Sequence, residues 1–291
     1  MAWAVGSAGA DVLTNVGSDR VKRVRRLARS SARRQTGQLL VEGPHACAEA
    51  AQAGLVSDLY VAHDAAGAFP RTIAATLEAG GYLHEASGPY VAAISGAAQG
   101  IVAVARDPWA GVDVSTVLGT VPNSVGPLSG LDGAVVRLVA VFEQVQDPGN
   151  AGTAIRAADA AGADLVAFTD RSVDPTSPKV IRASAGSYFH LPVVRAGNVG
   201  DLIDRLRQAG LQVLTADGDG RVPLAAAELD RPTAWLFGNE AHGASASSLA
   251  ASDESVRIEI YGRAESLNLA MAATLSLYAS AEALRRRGGR D

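Results

Sequence analysis

The chain has 291 residues, of which 48% are hydrophobic and 19% are charged. This length favours two domains over one, and the apolar content excludes a largely disordered chain. The single cysteine excludes a disulfide, and the five histidines show no paired spacing that predicts a metal site. No apolar run is long enough to span a membrane, and the amino terminus shows no secretory pattern. These features predict a cytoplasmic protein.

The net charge of −4 is distributed unevenly along the chain. Residues 1–34 carry +6 and the remainder carries −10. Eight basic side chains follow one another without an intervening acid: Arg20, Lys22, Arg23, Arg25, Arg26, Arg29, Arg33 and Arg34. The spacing of Val21, Val24 and Leu27 predicts an amphipathic basic helix over 20–34. Such a helix either contacts phosphate groups or presents an ordinary solvated face.

A first α/β series is predicted over residues 18–108, after a flexible amino terminus at 1–17. Short apolar runs predict strands at 39–43, 56–63, 81–85 and 100–106. Alanine-rich stretches that end at glycine predict helices at 45–54, 71–80 and 88–96. Residues 109–133, rich in Gly, Pro and Ser, are predicted as a linker, with a short strand around 112–118.

A second α/β series is predicted over residues 134–291. Its expected strands lie at 135–145, 163–169, 211–216, 234–238 and 256–260. Its expected helices lie at 151–161, 178–186, 199–209 and 268–287. This alternation predicts a mostly parallel sheet, whose ligands bind at the carboxyl ends of the strands.

Three loops at predicted strand ends carry polar residues among glycines: 147–164, 237–243 and 260–272. They supply the candidate site residues Asn150, Arg156, Glu240, Ser266 and Asn268. Each loop alone has an ordinary interpretation as a turn, a helix cap or a solvated acid. Three such loops in this order favour a site, because glycine turns expose backbone N–H groups and allow a ligand to approach closely.

The three loops together resemble the motifs of the SpoU (TrmH-like) branch of the SPOUT RNA 2′-O-ribose methyltransferases. The family pattern N-x-G-x-x-x-R is matched by Asn150, Gly152 and Arg156. The F-G-N-E-G-x-G pattern is matched by Phe237 to Glu240 and Gly243, with Ala241 replacing a glycine. The third pattern is matched by Ile258, Gly262, Ser266, Leu267 and Asn268, with Glu259 replacing a proline. Residues 18–108 look like the small RNA-binding domain that often precedes this catalytic domain.

The resemblance implies a deep trefoil knot in the carboxyl-terminal domain, S-adenosylmethionine as the cofactor and a homodimer. By position, Gly238, Ile258 and Leu267 would hold the cofactor. Arg156 would orient the ribose hydroxyl or clamp its phosphate, with Asn150, Glu240, Ser266 and Asn268 as hydrogen-bonding partners. The basic side chains at 20–34 would hold the RNA, so removal of residues 1–34 is expected to weaken RNA binding and its salt dependence.

Several alternatives bear on this interpretation. A serine hydrolase and a P-loop enzyme are disfavoured, because neither G-x-S-x-G nor G-x-x-x-x-G-K-[ST] occurs. A transfer-RNA methyltransferase and a non-catalytic RNA-binding protein with the same fold stay open. Enzymes of this layout mostly modify large-subunit (23S) ribosomal RNA, and a subset confers resistance to ribosome-directed antibiotics. The target nucleotide and any resistance role are left open by the sequence.

Overall fold

The computed structural model describes residues 12–119 and 136–288. These residues group into two compact units, one ending at Asp107 and including Thr176–Pro178, the other formed by the rest of the chain from Pro108 onward. Most of the predicted linker and the first eleven residues therefore lie outside the described part. Within the described ranges, none of the helices is both long enough and apolar enough to cross a lipid bilayer.

The first unit contains a four-stranded sheet with helices packed against it. Its strands are β1 (Gln38–Glu42), β2 (Val56–Ala62), β3 (Tyr82–Ala86) and β4 (Ile101–Arg106). Its helices are α1 (Asp19–Arg26), α2 (Ser30–Thr36), α3 (Pro44–Gln52), α4 (Pro70–Glu78) and α5 (Gly88–Ile94). The strand order is β1-β4-β2-β3, in which β4 is antiparallel to β1 and β2, and β3 is a parallel edge strand.

The basic segment is two short helices rather than the single helix that we predicted. Val21, Val24 and Leu27 are buried as expected and pack with Tyr60 and other residues of the unit's core. Helix α1 ends at Arg26 with Leu27 as its C-cap, and the extended backbone at Arg29 (φ −92°, ψ 133°) redirects the chain into α2. An α-helix cannot continue through that conformation.

Arg33 departs from the predicted phosphate-facing set, because only 4% of its surface is exposed. Its Nη1 donates hydrogen bonds to the carbonyl oxygens of Leu27 (2.8 Å) and Ala28 (2.9 Å). These carbonyls lie where α1 ends and therefore lack partners in a continuing helix. Arg33 thus stabilises the break between the two helices, and we remove it from the RNA-binding set.

The second unit contains a seven-stranded parallel sheet with helices. Its strands are β5 (Leu138–Phe142), β6 (Leu165–Thr169), β7 (Val193–Gly197), β8 (Gln212–Ala216), β9 (Val222–Pro223), β10 (Thr233–Phe237) and β11 (Glu254–Arg257). Its helices are α6 (Val114–Leu118), α7 (Pro148–Ala161), α8 (Pro178–Ala183), α9 (Val199–Gln208), α10 (Ala246–Ala251) and α11 (Leu269–Gly288). The order is β7-β6-β5-β10-β8-β11-β9, and Phe142, Phe168 and Phe237 stack across its central strands.

Four features of this unit differ from the sequence prediction. The strand expected around 112–118 is helix α6, capped by the Asp113 carboxylate, which accepts the N–H of Thr116 at 2.7 Å. Strands β7 and β9 and helix α10 were not predicted. The apolar part of β7 is two valines and β9 has two residues, so neither gives a periodic signal.

The α/β class and the mostly parallel sheet are confirmed. Strand β10 lies between β5 and β8 although β8 precedes it in the chain, and β11 lies beyond β8. This crossed order brings the ends of β5 and β10 together at the centre of the sheet. The loops that follow these two strands are consequently neighbours.

Candidate active site

The first loop leaves β5 and enters α7 through a capped turn. Asp147 is the N-cap, and its Oδ1 accepts the N–H of Asn150 at 2.7 Å. Pro148 occupies the first helical position, where a missing N–H costs nothing. Before this turn, Gln144 adopts φ +53°, a conformation that non-glycine residues rarely take outside constrained sites.

The second loop follows β10 and is folded tightly on itself. Asn239 and Gly243 exchange backbone hydrogen bonds of 2.9 and 2.8 Å, and the Asn239 Oδ1 accepts the N–H of Ala241 at 2.9 Å. The Asn239 amide also donates to the carbonyl of Gln144 at 2.8 Å, which ties this loop to the first. A Cβ at Gly238 would lie 2.0–2.3 Å from the backbone of Gly243 and Ala244, so only glycine fits there.

A chain of hydrogen bonds joins all three loops through predicted site residues. The Asn268 Nδ2 donates to the Asn150 Oδ1 at 2.8 Å, and the Asn150 Nδ2 donates to the Glu240 Oε1 at 3.3 Å. The Glu240 carboxylate also accepts the backbone N–H groups of Gln146 and Asp147, both at 3.1 Å. Asn268 in addition caps α11, because its Oδ1 accepts the N–H of Ala270 at 2.9 Å. Residues 118 positions apart are therefore held in one network.

Arg156 and Ser266 are exposed and stand outside this network. Neither side chain makes a hydrogen bond or ion pair with another residue of the described ranges. Arg156 lies on α7, six residues after Asn150. Its guanidinium keeps its hydrogen-bond donors available for an anion or a hydroxyl group.

The residues predicted to hold a cofactor are Gly238 on the second loop, Ile258 directly after β11, and Leu267 on the third loop. Ile258 and Leu267 are half-buried, and Gly238 is buried in the turn described above. Glu259, which replaces the usual proline, is exposed and accepts the hydroxyl of Tyr261 at 3.1 Å. This hydrogen bond and the carboxylate charge raise the pKa of Tyr261. The substitution is accommodated at the surface without burying a charge.

Gly152 was expected to let a ligand approach closely, but in the structure it serves helix packing. A Cβ at this position would lie 2.4 Å from the Cβ of Ala183 and 2.6 Å from the carbonyl oxygen of Val180. The missing side chain therefore allows α7 to pack closely against α8. This packing fixes the helix that presents Arg156.

Two residues of the site, Glu143 and Asp147, were not predicted from the sequence. Glu143 is buried, and its Oε2 accepts the N–H of Ser245 at 3.1 Å, which connects the end of β5 to the N-cap of α10, just after the second loop. The Asp147 cap was detectable, since Asp followed by Pro is typical of a helix start. Glu143 carries no comparable local signal. Among the described residues, no three His, Cys, Asp or Glu side chains are grouped so as to hold a metal ion.

Two family models match the chain. Residues 137–278 match the SpoU rRNA Methylase family. Residues 18–103 match the MRM3-like substrate binding domain. The first match contains all three loops, and the second contains the basic segment and the four-stranded sheet as far as the middle of β4.

Among curated proteins, the chain is similar to the 23S rRNA (guanosine(2553)-2′-O)-methyltransferase RlmP of Bacillus subtilis, with 39% identity over 145 residues. It is 38% identical over 169 residues to the 23S rRNA (uridine(2479)-2′-O)-methyltransferase of Streptomyces viridochromogenes. These alignments cover 50% and 55% of this chain, and 58% of the length of each relative.

Among solved structures, an AdoMet-bound rRNA methyltransferase from Sinorhizobium meliloti superposes with a TM-score of 0.76 at 27% identity. That superposition covers 94% of this chain and 98% of the other. The likeness therefore includes both units of the chain.

Proposed function

The chain carries a domain of the SpoU rRNA methylase family, as its three motifs predict, and from this premise we propose that it transfers a methyl group from S-adenosylmethionine to a ribose 2′-hydroxyl of RNA. The observation that carries the proposal is the hydrogen-bonded chain from Asn268 through Asn150 to Glu240. It joins the three loops whose residues the family motifs share. Helix α7, whose first turn is held by these hydrogen bonds through Asn150, carries the exposed Arg156.

The residues present fit S-adenosylmethionine. Gly238 forms a turn that excludes any side chain, so backbone groups line it. Ile258, directly after β11, and Leu267, on the third loop, offer half-buried apolar surface suited to the adenine ring. When bound there, the cofactor supplies the methyl group on a sulfonium. The AdoMet-bound relative from Sinorhizobium meliloti supports the same assignment.

The chain's own residues would act by orientation. Arg156 donates hydrogen bonds to the ribose hydroxyl or to the adjacent phosphate, and it serves as a donor because a guanidinium does not give up its proton in proteins. Glu240 and Asn150 hold the first loop, and Asn268 and Ser266 present the third. Positioning of this kind can supply a large share of the acceleration of a two-substrate reaction.

For the substrate, we propose large-subunit ribosomal RNA, because both curated relatives are named for 23S rRNA. We propose the cytoplasm as the compartment in which the enzyme meets this substrate. A map of 2′-O-methylation on ribosomal and transfer RNA, with and without the enzyme, identifies the nucleotide. A methyl group within an antibiotic site would extend the proposal to resistance, whereas a transfer-RNA target would replace the ribosomal assignment.

We also propose a homodimer, supported by an uncovered apolar face on α11. Met271, Leu275 and Tyr278 are spaced at four and three residues, which places them on one face of the helix. Met271 is 61% exposed, and together with Leu275 and Tyr278 it forms an exposed apolar patch. Such patches often mark protein–protein interfaces. The mass of the wild-type protein in solution, measured by sedimentation, should be that of two chains.

The test of the proposed activity is the substitution Arg156→Ala. We expect loss of methyl transfer to ribosomal RNA by at least about 100-fold, in line with removal of a preorganised donor, with affinity for S-adenosylmethionine changed less than about threefold. Transfer is measured with labelled S-adenosylmethionine, and binding by calorimetry. A variant with full activity would refute the role of Arg156, and a wild-type chain that binds no S-adenosylmethionine would refute the function.

A further inference from the structure

A polar and aromatic surface lies where the first turn of α1 meets strands β2 and β3. It consists of Arg20, Asp58, Tyr82 and His84, and we refer to it as the α1–β3 surface. In the parallel pairing of the two strands, Asp58 lies opposite Tyr82, two residues before the Tyr60–His84 pair. The rings of Tyr60 and His84 stack at 4.7 Å with an interplanar angle of 24°. Since strand side chains alternate between faces, these residues all share one face of the sheet.

A relay of hydrogen bonds on this surface orients Arg20. The His84 Nε2 lies 2.8 Å from the Asp58 Oδ1, and because a carboxylate only accepts, the ring nitrogen is the donor. The His84 Nδ1 accepts a hydrogen bond from the Arg20 Nη1 at 3.3 Å, because a guanidinium only donates. This is the one side-chain hydrogen bond of Arg20 within the described residues. Its other N–H donors are therefore available in a fixed direction.

Tyr82 lies at the margin of the same surface and is 69% exposed. It is on β3, which is the edge strand of the sheet, so its ring is accessible from the side. Tyr82 is two residues from His84 on this strand, and His84 holds the guanidinium of Arg20. An exposed aromatic ring together with a nearby cation is the combination with which proteins bind unpaired nucleotides. The ring stacks on a base, and the cation contacts the phosphate.

The charge around the surface favours a polyanionic partner. Six further cations follow Arg20 on α1, α2 and the turn between them: Lys22, Arg23, Arg25, Arg26, Arg29 and Arg34, all exposed. Within the described residues, the single ion pair among these six is Lys22 with Asp19, at 3.1 Å. A strand of nucleic acid that continues from the α1–β3 surface would therefore meet a run of uncompensated positive charge.

We propose that the α1–β3 surface binds an unpaired nucleotide of the RNA substrate, with the base on Tyr82 and its phosphate on Arg20. His84 and Asp58 are positioning residues that act through Arg20. The inference rests on the proposed function for the presence of RNA. It extends that function by giving this unit a preference for single-stranded over double-stranded segments.

The first test compares the binding of two RNA probes by fluorescence anisotropy: a short single-stranded oligouridylate and a duplex of the same length. Loss of one base–aromatic stack weakens binding by roughly 5- to 150-fold, so Tyr82→Ala should weaken oligouridylate binding by about tenfold. Tyr82→Phe keeps the ring and should stay within about twofold. Leu77→Ala, which removes another exposed side chain of the same unit, is the matched control and should bind as the wild type does.

Duplex binding should change less than about twofold in all of these variants, because paired bases are not available for stacking. An equal loss on both probes, or equal behaviour of Tyr82→Ala and Leu77→Ala, would overturn the inference. So would a wild-type chain that binds only the duplex.

The positioning role is tested by a double-mutant cycle between His84→Ala and Arg20→Ala on oligouridylate binding. His84→Ala should weaken binding several-fold in the wild-type background and add nothing when Arg20 is absent. If His84→Ala lowers the melting temperature, His84→Gln, which keeps a polar side chain, replaces it in the cycle. Additive losses would show that His84 does not act through Arg20.

The outcome separates this inference from the proposed function. A full-length wild-type chain that transfers methyl groups to ribosomal RNA, together with Tyr82→Ala that binds oligouridylate normally, overturns the inference alone. A wild-type chain that neither binds S-adenosylmethionine nor transfers methyl groups overturns the proposed function, whatever the two RNA probes show.

Discussion

The three-loop site and the basic segment use their polar side chains in opposite ways. In the loop site, one carboxylate, Glu240, accepts hydrogen bonds from two backbone N–H groups and from Asn150. In the basic segment, the exposed arginines of α1 and α2 point into solvent with few internal partners. The first arrangement fixes backbone geometry, whereas the second supplies charge.

This difference predicts how each region responds to substitution. A side chain with several specific partners is sensitive to a change of a single atom, because buried or paired groups are left unsatisfied. Exposed cations contribute similar, nearly independent amounts to the binding of a polyanion. The loop site should therefore show strong coupling between residues, and the basic segment should show additivity.

Among the substitutions that compare the two regions, the largest effect is expected from Glu240→Gln in the loop site. An amide has one acceptor oxygen and presents N–H₂ where the second oxygen accepted a backbone N–H, so at least one hydrogen bond to the first loop is lost. Charge-assisted hydrogen bonds contribute about 1.5–3 kcal/mol each. We expect methyl transfer to fall by about 10- to 150-fold, measured with labelled S-adenosylmethionine.

Coupling within the site is checked by combining Glu240→Gln with Asn268→Ala. Because Asn150 links the two residues, the double variant should lose much less than the product of the single losses. Independent losses would mean that the hydrogen-bonded chain does not act as a unit. In that case the contrast with the basic segment would disappear.

The next effect separates two neighbouring arginines of the basic segment. Arg33→Ala removes the donor to the carbonyl groups of Leu27 and Ala28, and should lower the free energy of unfolding by about 1–3 kcal/mol. Arg34→Ala, at an exposed position, should change it by less than about 0.5 kcal/mol. Urea unfolding measures both variants.

RNA binding should rank the same pair in the opposite order. Arg34→Ala should reduce the slope of log affinity against log salt by about 0.7–0.9, and Arg33→Ala should leave it unchanged at temperatures where the variant is folded. A reduced slope for Arg33→Ala would return it to the RNA-binding set. Point substitutions are the suitable test, because removal of residues 1–34 would also take away Val21, Val24 and Leu27 from the core of the unit.

The same contrast explains what the sequence could predict. The loop residues Asn150, Glu240 and Asn268 were identifiable because specific partners require specific residue types, and these form recognisable motifs. The basic segment was identifiable only by composition, which does not distinguish the buried Arg33 from the exposed Arg34. The break between α1 and α2 was missed because the apolar spacing of Val21, Val24 and Leu27 continues smoothly up to it.

Long-range pairings were also beyond the sequence. The contact of Glu143 with Ser245 joins residues 102 positions apart, and the insertion of β10 between β5 and β8 depends on the whole sheet. Most strands and helices of both units were predicted within a few residues, since their apolar runs have a clear period. The two-residue strand β9 and the six-residue helix α10 were not predicted, because their formation depends on neighbours distant in the chain.

The smallest effect concerns Arg20, the cation of the basic segment that is held by a network like that of the loop site. The pKa of Asp58 is lowered, chiefly because the His84 ring donates a hydrogen bond to its carboxylate, and its unfolded value is about 3.9. A carboxyl group with a lowered pKa contributes stability that is present above the unfolded pKa and is lost as the pH falls through the folded value. The wild type should therefore be more stable than Asp58→Asn near pH 6, with the difference shrinking below about pH 4.

Urea unfolding from pH 3 to pH 6 measures this difference, with Asp64→Asn, at an exposed carboxyl, as the matched control. If the two variants follow the same pH dependence, the relay does not stabilise the fold, and Arg20 belongs with the freely solvated cations.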